Sequence, residues 1–233
     1  MTDFRPGGFQ TIPPVIKNLL IINVLFFLAQ KTLGQEGWIL NQFALHDLHS
    51  VYFRPHQLVT YMFLHGGLDH IFFNMLALWM FGAILENYWG PKRFLIFYMV
   101  SGIGAAVFHL AVLYHEMSPV MEAVRYQVPI DQQQELLYSA NFRVNEATLG
   151  ASGAVFGCLA AFGYLFPNSL IYLYFFVPIK AKWMVLGYAA IELFSGIRSS
   201  AGDNVAHWAH LGGGLVGLLL VIYWNRNNRR NFY

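Results

Sequence analysis

The sequence predicts an all-α, polytopic membrane protein, a bundle of six spanning helices with a half-immersed first loop. Hydrophobic residues make up 57% of the 233 and charged residues only 11%, a composition far from that of soluble domains. Apolar runs recur at the length of about 20 residues that crosses a bilayer. Lys and Arg gather at alternate ends of those runs, as they do on the cytoplasmic side of short membrane loops.

The first run is 15–34 and is read as a retained helix, since no small-residue cleavage site follows it. The second, 69–88, contains HIFFNMLALWMFGAIL, and the third is 94–114. The fourth, 149–166, opens in TLGASGAVFG and stops before Pro167. The fifth, 183–197, is short and carries Glu192; the LIYLYFFVPI stretch before it either extends it or lies along the interface. The sixth, 204–224, closes on Asn and Arg. The membrane domain is then 15–224, between a cytoplasmic tail at 1–14 and a basic cytoplasmic tail at 225–233. With the N-terminus inside, Arg5, Lys17, Lys92, Arg93, Lys180, Lys182, Arg226, Arg229 and Arg230 are cytoplasmic. Lys31, Arg54, Arg125, Arg143 and Arg198 are outside. Both termini are therefore expected in the cytoplasm.

Two stretches interrupt this pattern. GWILNQFALHDLHSVYFRPHQLVTYMFLHGG is too charged to span and too apolar to be freely solvated; its Trp38, Tyr52, Phe53 and Tyr61 suit the headgroup boundary. The polar segment from His115 to Ala147 joins spans three and four outside the membrane, with a surface helix in part of it. The formal charge of +2 lies at loop ends and forms no stripe for nucleic acid, so the expected partner is the lipid bilayer. Lone Cys158 permits no internal disulfide and reads as packing.

Chemistry enters through polar residues in apolar surroundings, which face a bundle interior or a cavity. His70 and Asn74 are four apart, on one helix face. Ser152 opens span four, and His207 and His210 lie early in span six. Spans two, four and six enter from outside, so His70, Ser152 and His210 share the outer half of the membrane. Gly153 with Gly157, and Gly213 with Gly217, form small-xxx-small faces through which helices approach closely. Contact between those faces would bring Ser152 to His210, as a nucleophile to its base. Donors for an oxyanion would come from His70, Asn74 and the Ser152 N–H. Asp69 and Asp203 sit at span mouths and Glu192 reads as lying deeper in span five, so the expectation is a Ser152 and His210 dyad without a third carboxylate.

GASG at 150–153, HIFFN at 70–74 and AHLGGGLVG at 209–217 resemble, in order and depth, the motifs of the rhomboid family of intramembrane serine proteases. The resemblance covers nearly the whole chain. It implies that Ser152 is the nucleophile, that His210 is general base and acid, and that His70 and Asn74 help form the oxyanion hole. It also implies that single-span or polytopic membrane proteins are cut within or beside their spanning helices, with no metal and no cofactor. His65 stands where the family often has histidine, and Glu86 resembles a structural hydrogen-bonding position. Apart from the resemblance, short loops and the absence of an organelle targeting segment give a bacterial inner membrane as the expected location. There are departures: His56-Gln57 replaces a frequent Trp-Arg pair, putting that arginine's loop-anchoring role in doubt, and Phe156 stands where some members have Tyr.

Each residue also has a plainer reading. Ser152 alone would be a helix cap or a contact residue. His70 and Asn74 alone would join neighbouring helices. His207 is an alternative base, read here as packing or interfacial, and His46, His49, His56, His109 and His115 are read as interfacial. A histidine-rich metal transporter would need acidic ligands facing the same pocket and would leave the GASG serine unexplained. A catalytically inactive adaptor that binds spanning helices would have no need of both Ser152 and His210.

Overall fold

A computed structural model describes residues 9–33, 37–173, 176–198 and 206–228. Residues 1–8, Gly34 at the end of the first expected span, Asp203 and the 204–205 start of the sixth, and 229–233 of the basic tail lie outside the described residues.

Helix α1 (Pro14–Leu33) starts with proline at a position where no N–H is needed. Its next two N–H groups donate to the buried Glu86 carboxylate, Val15 N at 2.9 Å and Ile16 N at 2.8 Å. A carboxylate there also complements the positive helix end. The second membrane segment is one 22-residue helix, Leu68–Trp89, made of α4 (Leu68–Ala77), a π turn (Leu78–Gly82) and α5 (Ala83–Trp89). Gly82 lies under Ile16: a methyl there would sit 2.6 Å from Ile16 Cδ1. The first loop is folded, with short helices α2 (Trp38–Phe43) and α3 (Gln57–Thr60) and a 3-10 turn (Tyr61–Phe63).

Helix α6 (Pro91–Gln127) continues 13 residues past the expected end of span three. At 1.5 Å per residue it is about 55 Å long, well beyond the roughly 30 Å hydrocarbon layer. The charges at 115–125 end the apolar run without ending the helix, because Met, Glu, Ala and Arg are good helix formers. A satellite core of Met117, Val124, Phe142 and Val144 holds this extension against the returning chain, with α7 (Ile130–Tyr138) between them.

Helix α8 (Ser152–Leu165) is buried on nearly every side, including the free Cys158, which explains why it is apolar all round. With 14 residues it is about 21 Å long. The stretch before the fifth expected span does not extend it as a helix. It forms an antiparallel hairpin of β1 (Leu170–Leu173) and β2 (Val177–Lys180), pairing Leu170 with Lys180 and Tyr172 with Pro178. Among the described residues the named elements are helical apart from this hairpin, built where β-favouring Ile, Tyr and Val cluster. Helices α9 (Ala181–Arg198) and α10 (His207–Asn228) complete the bundle.

Among the described residues, four helices are long and apolar enough to cross a membrane: 14–33, 68–89, 91–127 and 207–226. The short α8 and the more polar α9 would have to supply the other two expected spans. The centre is α6, α8 and α10, where the glycine faces meet. A methyl on Gly213 would collide with the Gly153 carbonyl, and one on Gly217 would sit 2.7 Å from Gly157 Cα. On the other side, α6 presents Ser101 to Gly157 and Ala105 to Gly153, each within 2.6 Å of a methyl built there.

Candidate active site

The chain leading into α8 is clamped at successive residues. Thr148 pairs with Leu45 through two backbone bonds of 2.8 Å, and its hydroxyl meets His109 Nε2 at 2.9 Å. Gly150 N donates to Tyr61 O at 2.9 Å, and the Tyr61 hydroxyl donates to Gly102 O at 2.8 Å. Tyr61, His46 and His109 are buried, which corrects their reading as interfacial groups: each has a polar partner inside the fold. His49 is partly covered, whereas His56 and His115 are exposed.

Gly150 adopts φ +131°, a region closed to most side chains. A methyl there would lie 2.8 Å from His70 Nε2 and 3.6 Å from Ser152 Oγ, so the space this glycine leaves open is bounded by both. His70 Nδ1 accepts from Gly66 N at 3.2 Å. In the neutral ring that leaves the proton on Nε2, facing the opening as a donor. Asn74 is buried one turn on, and its amide donates back to His70 O at 2.9 Å, so it is engaged with its own helix.

Ser152 is the first residue of α8, where backbone N–H groups lack helical partners. Its Oγ lies 2.8 Å from His210 Nε2. The His210 ring stacks on Phe156 at 4.4 Å between centroids and 5° between planes. Phe156 is one turn after Ser152, so one face of α8 supplies both the hydroxyl and the platform under the imidazole.

Glu192 is where sequence reasoning missed. It stands beside the expected dyad, where no third carboxylate was expected: its Oε2 is 2.6 Å from His207 Nδ1 and 3.0 Å from His210 Nδ1. His207 is therefore a buried partner of a carboxylate rather than an interfacial group, and one acidic ligand does share the pocket with two histidines. The signal was Glu192 as the sole charge in 183–197, four residues before Gly196. These two face α10, and a methyl on Gly196 would come within 3.2 Å of Trp208 and 3.4 Å of His207. The donor atoms of Glu192, His207 and His210 lie within 4.8 Å of one another, and by type they could hold a metal. Ligands of a tetrahedral zinc with bonds of about 2.0–2.1 Å stand roughly 3.3 Å apart. The observed separations of 2.6 and 3.0 Å suit shared protons better.

The first loop is anchored by the residue that replaces arginine. Gln57 is fully buried; its Nε2 donates to Tyr52 O at 2.8 Å and Asn41 O at 3.1 Å, while its Oε1 accepts from Arg54 N at 3.1 Å. Gln57→Leu should cost about 2–4 kcal/mol of local stability through unpaired backbone groups, read as faster amide exchange at 41–57. Unchanged exchange would remove Gln57 from this role. His46 Nδ1 faces Asn145 O at 3.1 Å, and burial holds its pKa below the ordinary value despite the Asn145 and Leu40 carbonyls. His65 is fully buried, its ring edge-on to His70 at 5.1 Å. Burial first, and His70 second, push His65 down to about 4, so it is neutral at pH 7.

A family model described as the Rhomboid domain matches residues 52–227. Rhomboid-like protein 16, chloroplastic, of Arabidopsis thaliana is 29% identical over 238 residues, covering 99% of this chain and 69% of that protein. RHOMBOID-like protein 12, mitochondrial, of the same plant is 29% identical over 220 residues, 94% of this chain and 60% of that protein. Rhomboid protease AarA of Providencia stuartii is 30% identical over 174 residues, 69% of this chain and 53% of that protein. The chain thus spans between about half and two thirds of these relatives' lengths.

Proposed function

Because the chain belongs to the rhomboid family, we propose that it is an intramembrane serine endopeptidase acting on membrane-protein substrates. The observation that carries this reading is the 2.8 Å contact between Ser152 Oγ and His210 Nε2, beside the space left open by Gly150. A substrate helix unwinds locally, exposing a carbonyl that helical hydrogen bonds otherwise shield. Ser152 Oγ attacks that carbon and His210 Nε2 takes the hydroxyl proton. The oxyanion is held by the Ser152 backbone N–H and by His70 Nε2–H; Asn74 joins once its amide turns from the His70 carbonyl. His210 gives the proton to the leaving amine, and water resolves the ester by the reverse proton path. These residues supply the whole acid–base sequence without a metal or cofactor.

The bundle in this reading crosses the membrane six times, with α8 and α9 as the fourth and fifth spans and both termini cytoplasmic. The first loop lies half in the headgroup layer, where the exposed Trp38 suits it. A bacterial inner membrane is the proposed location; relatives with chloroplastic and mitochondrial names make the organelle membranes the alternatives.

The test is purified chain in proteoliposomes containing a chelator, offered reporters with one spanning helix and, separately, a fluorophosphonate. The expected result is a cut within or beside the reporter helix and a covalent label on Ser152. Helix binding with neither cut nor label would favour an adaptor and overturn the protease.

A further inference from the structure

We propose that Glu192 is a positioning residue for His210, making the site a Ser152, His210 and Glu192 relay buttressed by His207. The inference rests on the protease reading above. Glu192 Oε2 stands between two imidazoles, 2.6 Å from His207 Nδ1 and 3.0 Å from His210 Nδ1. An ionised carboxylate only accepts, so both Nδ1 atoms carry protons. A proton on His210 Nδ1 leaves Nε2 with its lone pair toward Ser152 Oγ, the tautomer a general base requires.

Geometry separates the two histidines. The His207 contact is an aligned hydrogen bond. The His210 N–H points off the line to Oε2, so at 3.0 Å that contact is electrostatic. His210 is held from its flat side by Phe156, and a small turn in the ring plane aligns Nδ1–H with the carboxylate as Nε2 follows the moving serine proton. His207 fixes the oxygen on which that turn closes. The side chains of Glu192 and His207 are each only 10% exposed, and that of His210 12%, so water competes weakly for the carboxylate. Among the described residues, His70 from α4 and His109 from α6 also lie within electrostatic reach of His210. Neither is a carboxylate, so among the described residues Glu192 is the group in this cluster able to hold the Nδ1 proton.

The experiment compares parent, Glu192→Gln and Glu192→Asp in proteoliposomes. It reads kcat and KM on a cleavable single-span reporter, fluorophosphonate labelling rate, unfolding temperature, and the ¹⁵N shifts of the His210 ring. Labelling forms a bond from Ser152 Oγ to phosphorus and releases fluoride, with the serine proton passing to His210, so it reads activation without helix unwinding. In E192Q the amide can present an N–H to Nδ1 and favour the wrong tautomer, which costs a serine protease about 10⁴ in kcat. The expected result is a fall in kcat and in labelling of at least about 100-fold. KM stays within about twofold and the ¹⁵N pattern moves toward Nε2–H, while E192D regains part of the rate. E192Q with parent kcat and labelling overturns the inference, as does a loss confined to KM. If E192Q does not fold, E192D decides: lower kcat at parent KM and unfolding temperature supports the role, and parent kcat overturns it. A parent chain that neither cleaves nor labels removes the protease reading and this inference together, whereas an active parent indifferent to E192Q removes this inference alone.

Discussion

Ser152→Ala is expected to lose reporter cleavage and fluorophosphonate labelling while unfolding within a few degrees of the parent. Removing one oxygen takes away the nucleophile, a change worth about 10⁶ in kcat in serine proteases. Its structural cost is one partly exposed hydrogen bond to His210, about 0.5–1.5 kcal/mol. The ring keeps its stack on Phe156 and its contact with Glu192, so little else is disturbed. The large loss of rate beside a small loss of stability distinguishes a nucleophile from a capping or packing serine. Cleavage within tenfold of the parent would sink the assignment. His210→Ala should lose a similar fraction of the rate, because Ser152 would then lack the imidazole that takes its proton.

Gly213→Val is expected to have the largest effect on stability. A methyl at 213 already meets the Gly153 carbonyl, which belongs to the first turn of α8 and cannot rotate away as a side chain could. Val adds two further carbons, and the helices must part along the whole seam, including Gly217 over Gly157. Overpacking a core costs about 1–3 kcal/mol where side chains can adjust, and a rigid backbone places this substitution above that range. A fall of more than about 10 °C in the unfolding temperature in detergent is the expected reading for a chain of this size. An unchanged temperature would mean that α8 and α10 do not pack through these glycines. Activity should fall with stability, since the same contact sets the distance from Ser152 to His210.

The sequence made some of this legible for definite reasons. Runs of apolar residues mark membrane-length helices because every backbone polar group in lipid must be satisfied within its own segment. The nearness of Ser152 and His210 could be read because two small-residue faces can hardly avoid meeting in a bundle. Other features depend on tertiary context. The α6 extension was hidden because charge ends an apolar pattern without ending a helix. The hairpin at 170–180 was hidden because a short apolar run has no period that distinguishes strand from helix. The partnership of Glu192 with the histidines was missed because its neighbours are set by where α9 meets α10, and a sequence position does not show that. Gln57 was noticed only as a missing arginine; that a neutral amide can satisfy three backbone groups is visible only once the loop is folded.

The long α6 helix has a mechanical consequence. The chain leaves it at Gln127 and returns to it at Thr148, whose hydroxyl is bonded to His109 of the same helix. The twenty residues between those points form a closed handle on a stiff rod, stapled internally by Asn145 to Leu137 and Ser139. A handle with both ends fixed to one body isolates what lies beyond it. Length added at its tip changes the closure entropy by only a fraction of a kcal/mol and is absorbed before Thr148, leaving the approach to Ser152 where it was. This chain can therefore take up added length at that tip, away from the bonds of Tyr138 and Asn145 to the first loop, without retuning the serine behind it.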